Sequence, residues 1–345
     1  MRNCYLLLLF CFSFSLAAQY EKGTWYLDVN NQVQVVNTNF GFGDLLESRL
    51  TGGFFLKNNL LVGAQLELGT LFGEGLNTST HQVVPFVRYY FPAAQQRKLR
   101  WFAEAGAGLQ FESNLQANVQ LGAGAEYQIA PGIFATADLR YRSEVDRQLG
   151  GFSFNLGLNV RLGDAETENG PLVAGQKGSF LLDGTFGSVS RSQLRTFDVF
   201  SAGLAVRGGY FLTDNLLLEG GASIYASSVD SDSEIGFESD LFGFSAQVGT
   251  SYLFNTGKRF RPYLAGGLRY DNSEQDSRQV INDEPRIFLF SDQGLSAYGR
   301  AGFLHQLNSR LALDVYFGTH LRLTGEGRDN QLSGGAGLKV FLGKE

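Results

Sequence analysis

The chain of 345 residues exceeds one typical domain, and its 43% apolar content is that of an ordinary folded protein. Its formal charge of −6 argues against nucleic acid as a partner. Abundant Gly (44), Phe (30) and Tyr (14), against one Met and six Pro, suit strands that twist tightly and end in aromatic rims.

Residues 1–18 read as a secretory signal peptide: Arg2 is the positive start, Tyr5 to Leu16 the apolar core, and Ser15-Leu16-Ala17-Ala18 the cleavage site. The apolar core is too short to span a bilayer as a helix. Both Cys4 and Cys11 fall inside the signal peptide, and Cys11 follows Phe10 where a lipoprotein signal needs a small residue. The mature chain, expected to begin near Gln19, then has no cysteine for a disulfide or a thiolate metal site. No later stretch approaches eighteen consecutive apolar residues, so no transmembrane helix is expected.

The mature chain carries its pattern twice. KGTWYLD (22–28) returns as KGSFLLD (177–183), and GGFFLKNNLL (52–61) as GGYFLTDNLL (208–217). The offset of about 155 residues is the size of a domain and not of a solenoid repeat. Within each copy apolar and polar residues alternate with the period of a strand. In the first half strands are expected at 24–30, 49–56, 60–69, 82–91, 99–112, 117–129, 133–142 and 151–162. In the second they are expected at 179–187, 202–212, 216–227, 241–254, 259–270, 294–307, 310–323 and 332–342. Most are long enough to cross hydrocarbon at a tilt.

The connections alternate. The stretches 31–48, 70–81, 143–150, 188–201, 228–240, 271–293 and 324–331 read as long polar loops, with 113–116 a short exception. Those at 57–59, 92–98, 130–132, 213–215, 255–258 and 308–309 read as tight turns. Short turns at one end and long loops at the other are the topology of outer-membrane barrels. In 151–162 one strand face is Phe152, Phe154, Leu156, Leu158, Val160 and Leu162, and the other is polar. A soluble sandwich could share that alternation, so the placement of charge decides. The polar face of the first half collects Asp28, Glu67, Glu104, Glu112, Glu126 and Asp138 together with Arg49, Arg88, Arg100, Arg140, Arg142 and Arg161. A solvated surface would mix Lys with Arg, whereas these cations are all Arg, whose planar fork suits carboxylates in a closed lumen. Arg100 and Glu104, neighbours on one strand face, are expected to share that network.

The chain then resembles the eight-stranded outer-membrane barrel superfamily of the outer-membrane protein A and protein W type. VPFVRYYFP (84–92) with LRWFAEAGAGLQF (99–111) is similar to that family's fourth and fifth strands, and LGAGAEYQIAPGIFATADLRYR (121–142) to its sixth and seventh. GGYFLTDNLLLEGG (208–221) and FRPYLAGGLRY (260–270) carry the likeness into the second half. The resemblance implies an all-β, antiparallel up-and-down transmembrane barrel in the outer membrane of a Gram-negative bacterium, in two tandem copies. No peptidoglycan-binding domain is expected after the second copy, and Phe341 stands slightly inset where the family ends on an aromatic.

Eight plus eight strands can close as two narrow barrels or open into one sixteen-stranded cylinder. Each half has its own opening KG[ST] and closing GL[NK]V, and the polar stretch between them is long for an internal turn. Two barrels are therefore expected, the first at 19–163 and the second at 178–345, joined by a periplasmic linker at 164–177. In the second lumen Arg207, Arg261, Arg269, Arg300, Arg322 and Lys339 outnumber Asp183, Glu219 and Asp314.

No catalytic, cofactor-binding or metal-binding residue is expected. His320 shares a strand face with Asp314 and Arg322 and reads as an interior polar residue, while His81 and His305 have no serine in a recognisable motif. Asp230, Asp232, Glu234, Glu238 and Asp240 flank Gly236, one place later than a calcium hand requires, which leaves a solvated acidic loop or a Ca²⁺ site open. Gly-Ala-Gly runs such as 122–124 fall inside strands and are no phosphate loops. The expected function is that of a non-enzymatic outer-membrane barrel, structural or adhesive through its long loops, with a porin-like channel as the alternative. Its expected partners are outer-membrane lipid and an extracellular molecule at those loops.

Overall fold

The computed structural model describes residues 22–28, 32–38, 43–73, 76–92, 98–111, 115–130, 132–145, 150–162, 175–183, 185–194, 197–231, 237–254, 259–281, 284–307, 310–325 and 331–343. The expected signal peptide, most of the expected linker and Glu112 lie outside them.

Among the described residues all regular structure is strand. The first half contains β1 (Trp25–Asp28), β2 (Gln32–Thr38), β3 (Gly43–Lys57), β4 (Leu60–Gly73), β5 (Leu76–Tyr90), β6 (Leu99–Phe111), β7 (Leu115–Ala130), β8 (Ile133–Glu144) and β9 (Gly150–Leu162). The second contains β10 (Phe180–Asp183), β11 (Thr185–Leu194), β12 (Phe197–Phe211), β13 (Leu216–Ser231), β14 (Phe237–Leu253), β15 (Phe260–Ile281), β16 (Glu284–Gln306), β17 (Leu311–Arg322) and β18 (Gln331–Leu342). No helix among the described residues is long and apolar enough to cross a membrane.

The repeated KG[ST] has a local cause. Gly23 and Gly178 both take a positive φ, +103° and +87°, which glycine adopts without steric cost. The turn lets Gly23 N–H donate to Phe55 O at 3.0 Å and Gly178 N–H to Phe211 O at 2.9 Å. Phe55 and Phe211 donate back to Thr24 O and Ser179 O, so both copies start with the same backbone clasp.

β1 and β2 are the lower and upper parts of one first strand, since both run beside β3; β10 and β11 stand in the same relation to β12. At the lower end each half closes on itself. β9 meets β1, with Trp25 opposite Leu162 and Asp28 opposite Asn159, and β18 meets β10, with Phe180 opposite Leu342 and Asp183 opposite Lys339. These seams make two closed antiparallel eight-stranded barrels. Above the seams the first strands exchange partners: β11 lies against β9, and β2 against β18. The ladder therefore runs unbroken round both halves at the upper end. The single sixteen-stranded cylinder is realised only as this junction.

Below the junction the barrels touch through their outer faces. Ile133, Leu158 and Val160 of the first pack with Leu311, Leu338 and Val340 of the second, all buried. The contact follows the duplication, because Ile133 pairs with Val160 as Leu311 pairs with Val340. The remaining outer face is apolar and exposed. A lower aromatic girdle includes Trp25 (57% exposed), Trp101 (61%), Tyr127, Phe180, Tyr210, Tyr252 and Phe260. An upper band holds Phe111, Phe152, Phe154, Phe200, Phe242 and Phe244. Two aromatic belts bounding an apolar wall are what a bilayer requires.

Several stretches expected to be loops continue as strand. β15 and β16 stay paired from Phe260 opposite His305 up to Ile281 opposite Glu284, through most of 271–293. RIFLF (286–290) thus extends a hairpin above the membrane. The reach of β3 to β5, and of β11 to β14, corrects the loops expected at 31–48, 70–81, 188–201 and 228–240 in the same way. From Asp271 to Gln279 β15 is polar on both faces, so the alternation that marks a strand inside a bilayer is absent there.

Candidate functional site in the two lumens

The floor of the first barrel is an aromatic plug of Tyr26, Phe55, Leu61, Phe86, Tyr90, Phe102 and Phe134, all buried. Gly124 makes room for it, since a Cβ there would fall 2.6 Å from the Phe102 ring. Threaded through the plug is an ionic circuit. Arg88, fully buried, donates from Nε to Glu104 Oε2 at 2.8 Å, and its Nη1 lies 3.2 Å from Glu126 Oε1. Its guanidinium stacks 4.1 Å over the Phe102 ring. Arg161 pairs with Glu126 and stacks 4.0 Å over Phe134, while the Tyr90 hydroxyl donates to Glu126 at 2.7 Å. Arg140 joins Asp138 (2.9 Å) to Glu104 (3.6 Å).

Buried carboxylates are thus matched by buried guanidiniums, with amides completing their shells. Gln120 donates to Glu104, Asn159 to Glu126 and Asn155 to Asp138, at 3.0, 3.1 and 2.9 Å. Such pairing is what makes ions tolerable away from water. Higher up, Arg142 lies 3.5 Å from Glu67, with about a third of each side chain exposed (36% and 32%).

Of the expected network, Arg88, Glu104, Glu126, Asp138, Arg140 and Arg161 meet in the buried circuit, and Glu67 and Arg142 form an outlying pair. Asp28 is half-buried opposite Asn159. Arg49 stands opposite Glu67 in register, but its side chain lies outside the described residues. Arg100 and Glu104 stand at different heights of the same strand face. Glu104 is held by Arg88, Arg140 and Gln120, while Arg100 is half-buried near the lower turn, opposite Glu126 in register. Four residues along a strand span about 13 Å, too far for direct contact between these side chains. The tyrosines and amides that complete the circuit escaped a reading that counted only charge.

The second barrel repeats the plan with other residues. Its floor is Leu181, Phe211, Leu217, Leu253, Tyr263, Leu304, Ala312 and Phe341. Above it Lys339 Nζ lies 2.6 Å from Asp183 and 3.5 Å from Asp314, and Tyr263 donates to Asp314 at 3.0 Å. Arg300 holds Glu219 at 2.6 Å. The space left among these groups is about 10 Å³, hardly room for one water. The apparent excess of cations has a physical answer: Arg269 pairs with Asp271 at 2.7 Å and Arg322 with Asp292, both acids lying on strand extensions expected to be loop. Continuing the alternation from Arg269 to Asp271 would have found the first pair.

His320, Asp314 and Arg322 share a face but hold separate partners. The His320 ring lies 6.0 Å from that of Tyr298, Asp314 is bound by Tyr263 and Lys339, and Arg322 by Asp292. That geometry builds no nucleophile–base pair. Asp230, Glu238 and Asp240 lie on β13 and β14, whereas Asp232, Glu234 and Gly236 fall outside the described residues. Among the described residues no group of three or more His, Cys, Asp or Glu is placed to hold a metal ion.

Aromatic belts, an apolar outer wall and a filled polar interior define an integral outer-membrane β-barrel of the Gram-negative kind. Residues 164–342, more than half of the chain, match the family described as Outer membrane protein beta-barrel domain, and the chain belongs to that family. No curated protein matches it. Among solved structures, the N-terminal β-barrel domain of Pseudomonas aeruginosa OprF is 17% identical over 49% of this chain and 99% of that chain, with a TM-score of 0.25. The outer membrane protein OprG of the same organism gives 15%, 50%, 100% and 0.29 in the same order. The translocator domain of the autotransporter NalP from Neisseria meningitidis gives 12%, 98%, 95% and 0.31.

Proposed function

We propose that this protein is a non-conducting, non-enzymatic barrel that acts at the cell surface, structurally or adhesively, through its upper hairpins. The filling of both lumens carries this reading. Each is crossed by a floor of fully buried side chains and by paired ions above it. A conducting eight-stranded barrel would need a continuous file of water, and side chains occupy that space. The hairpin of β15 and β16, by contrast, extends beyond what a bilayer needs to be crossed and offers surface to a partner. Outer-membrane lipid covers the exposed belt between the aromatic girdles. The test is planar-bilayer recording of the purified full-length protein. A silent membrane at all voltages is expected, whereas discrete, reproducible conductance steps would establish the porin-like alternative.

A further inference from the structure

On β14, Tyr252 belongs to the lower girdle and Phe242 to the upper band, so the strand above Phe242 stands outside the hydrocarbon. There the hairpins of the second barrel enclose a groove of about 660 Å³, within the range of small-molecule sites. Phe200, Phe242 and Leu289 supply its apolar surface, and Asp240, Glu274 and Asp276 lie among them. By strand alternation all six share the outward face.

The charges are arranged at a cost. Asp240 stands directly opposite Asp276 across β14 and β15, and like charges so placed repel. The next rung on this face sets Phe242 opposite Glu274, adding a third carboxylate. Arg278 compensates weakly, 3.7 Å from Asp276 and 3.9 Å from Glu238. Asp276 Oδ1 is shut off from solvent and accepts no hydrogen bond among the described residues, where Asp240 and Glu274 also form no ion pair. Leu289, directly opposite Asp276, is 75% exposed above the membrane. An apolar surface set among carboxylates that one distant arginine compensates only weakly complements a molecule with an apolar body and a positive head.

We propose that this groove binds a small amphipathic cation, an amine or guanidine carried on an aromatic or aliphatic body. The apolar body would lie on Phe242 and Leu289, and the positive head would bridge Asp240 and Asp276, relieving their repulsion. The inference rests on the reading of the upper hairpins as the contact surface and supplies the chemistry of one partner.

The test uses the full-length protein in phosphatidylcholine vesicles, with dansylcadaverine as the probe and the neutral dansylamide as control. Saturable, blue-shifted fluorescence is expected for dansylcadaverine, with affinity falling about tenfold or more in Asp240→Asn combined with Glu274→Gln, because charge-assisted hydrogen bonds are lost. Dansylamide is expected to bind at least as much more weakly, and Leu289→Asn to weaken the probe with the carboxylates intact. Heat-modifiable migration verifies that each variant is folded. Unchanged affinity in the carboxylate variant, or equal binding of dansylamide, would overturn the proposal by showing an apolar patch alone. Binding in detergent that vanishes in vesicles would overturn it in favour of lipid as the occupant. A protein that stays silent in bilayers yet binds no probe refutes this inference alone, whereas conduction refutes the non-conducting reading whatever the groove binds.

Discussion

Arg88 joins two carboxylates, Glu104 and Glu126, in a place no water reaches. In Arg88→Leu both acids lose a partner while remaining buried, which is expected to destabilise the folded barrel by about 3–5 kcal/mol. Urea unfolding from lipid vesicles, followed by tryptophan fluorescence, measures the loss. Arg100→Leu at its half-buried position is expected to cost about 1 kcal/mol or less. Equal losses for the two variants would show a hydrated lumen in which burial counts for nothing. Replacing Arg88 and Glu104 together by Leu and Gln is expected to recover part of the loss, because Glu126 then keeps Arg161 and Arg140 keeps Asp138. The contrast between the two arginines shows what the sequence discloses at this scale. Alternation along β6 assigns Arg100 and Glu104 to one face, and the structure keeps them there. It carries no information on height, and height separates the fully buried Arg88 from the half-buried Arg100. Asp271 and Asp292 were missed for the opposite reason: polar flanks made strand look like loop and hid the partners of Arg269 and Arg322.

At the scale of the strand, closure of each barrel was legible and exchange between barrels was not. The KG[ST] clasp and the GL[NK]V edge recur once per half, and they sit where β1 meets β9 and β10 meets β18. A duplicated sequence, however, offers each last strand two similar first strands, and periodicity cannot choose between them. Only register distinguishes the pairings, so cysteine cross-linking in the full-length chain can read it. Leu27→Cys with Val160→Cys should form a disulfide at the lower seam, and Ser153→Cys with Ser190→Cys should form one at the upper junction. Were the first barrel closed along its whole height, the seam register would continue to Gln34 opposite Ser153. A disulfide between cysteines at 34 and 153, with none between 153 and 190, would show two independent barrels and remove the junction. The reverse failure, with Val160→Cys pairing to Leu182→Cys and not to Leu27→Cys, would extend the shared sheet to the floor.

At the scale of the whole molecule, the question is how far the two barrels depend on one another. Their contact below the junction is apolar on both sides, through Val160 and Leu158 against Val340 and Leu338. In water such a face would drive association strongly. In a bilayer the alternative to a neighbouring barrel is an acyl chain of equal apolarity, so separation forfeits packing and little else. The junction is different, because it consists of backbone hydrogen bonds that hydrocarbon cannot replace. An isolated first half nevertheless has a way to satisfy them, since the upper parts of β2 and β9, released from β18 and β11, are antiparallel edges that can close on each other. Its ionic circuit needs nothing from the second half, as Arg88, Arg140 and Arg161 find their carboxylates on β6, β7 and β8. Residues 19–170 expressed alone are therefore expected to refold in detergent or lipid into a barrel whose gel migration changes on boiling. In that fragment cysteines at 34 and 153 should cross-link, although they do not face each other in the full chain. A fragment that stays unfolded alone and becomes heat-modifiable only when mixed with residues 171–345 would mean that the shared upper sheet, and not the separate lumens, is the unit that folds.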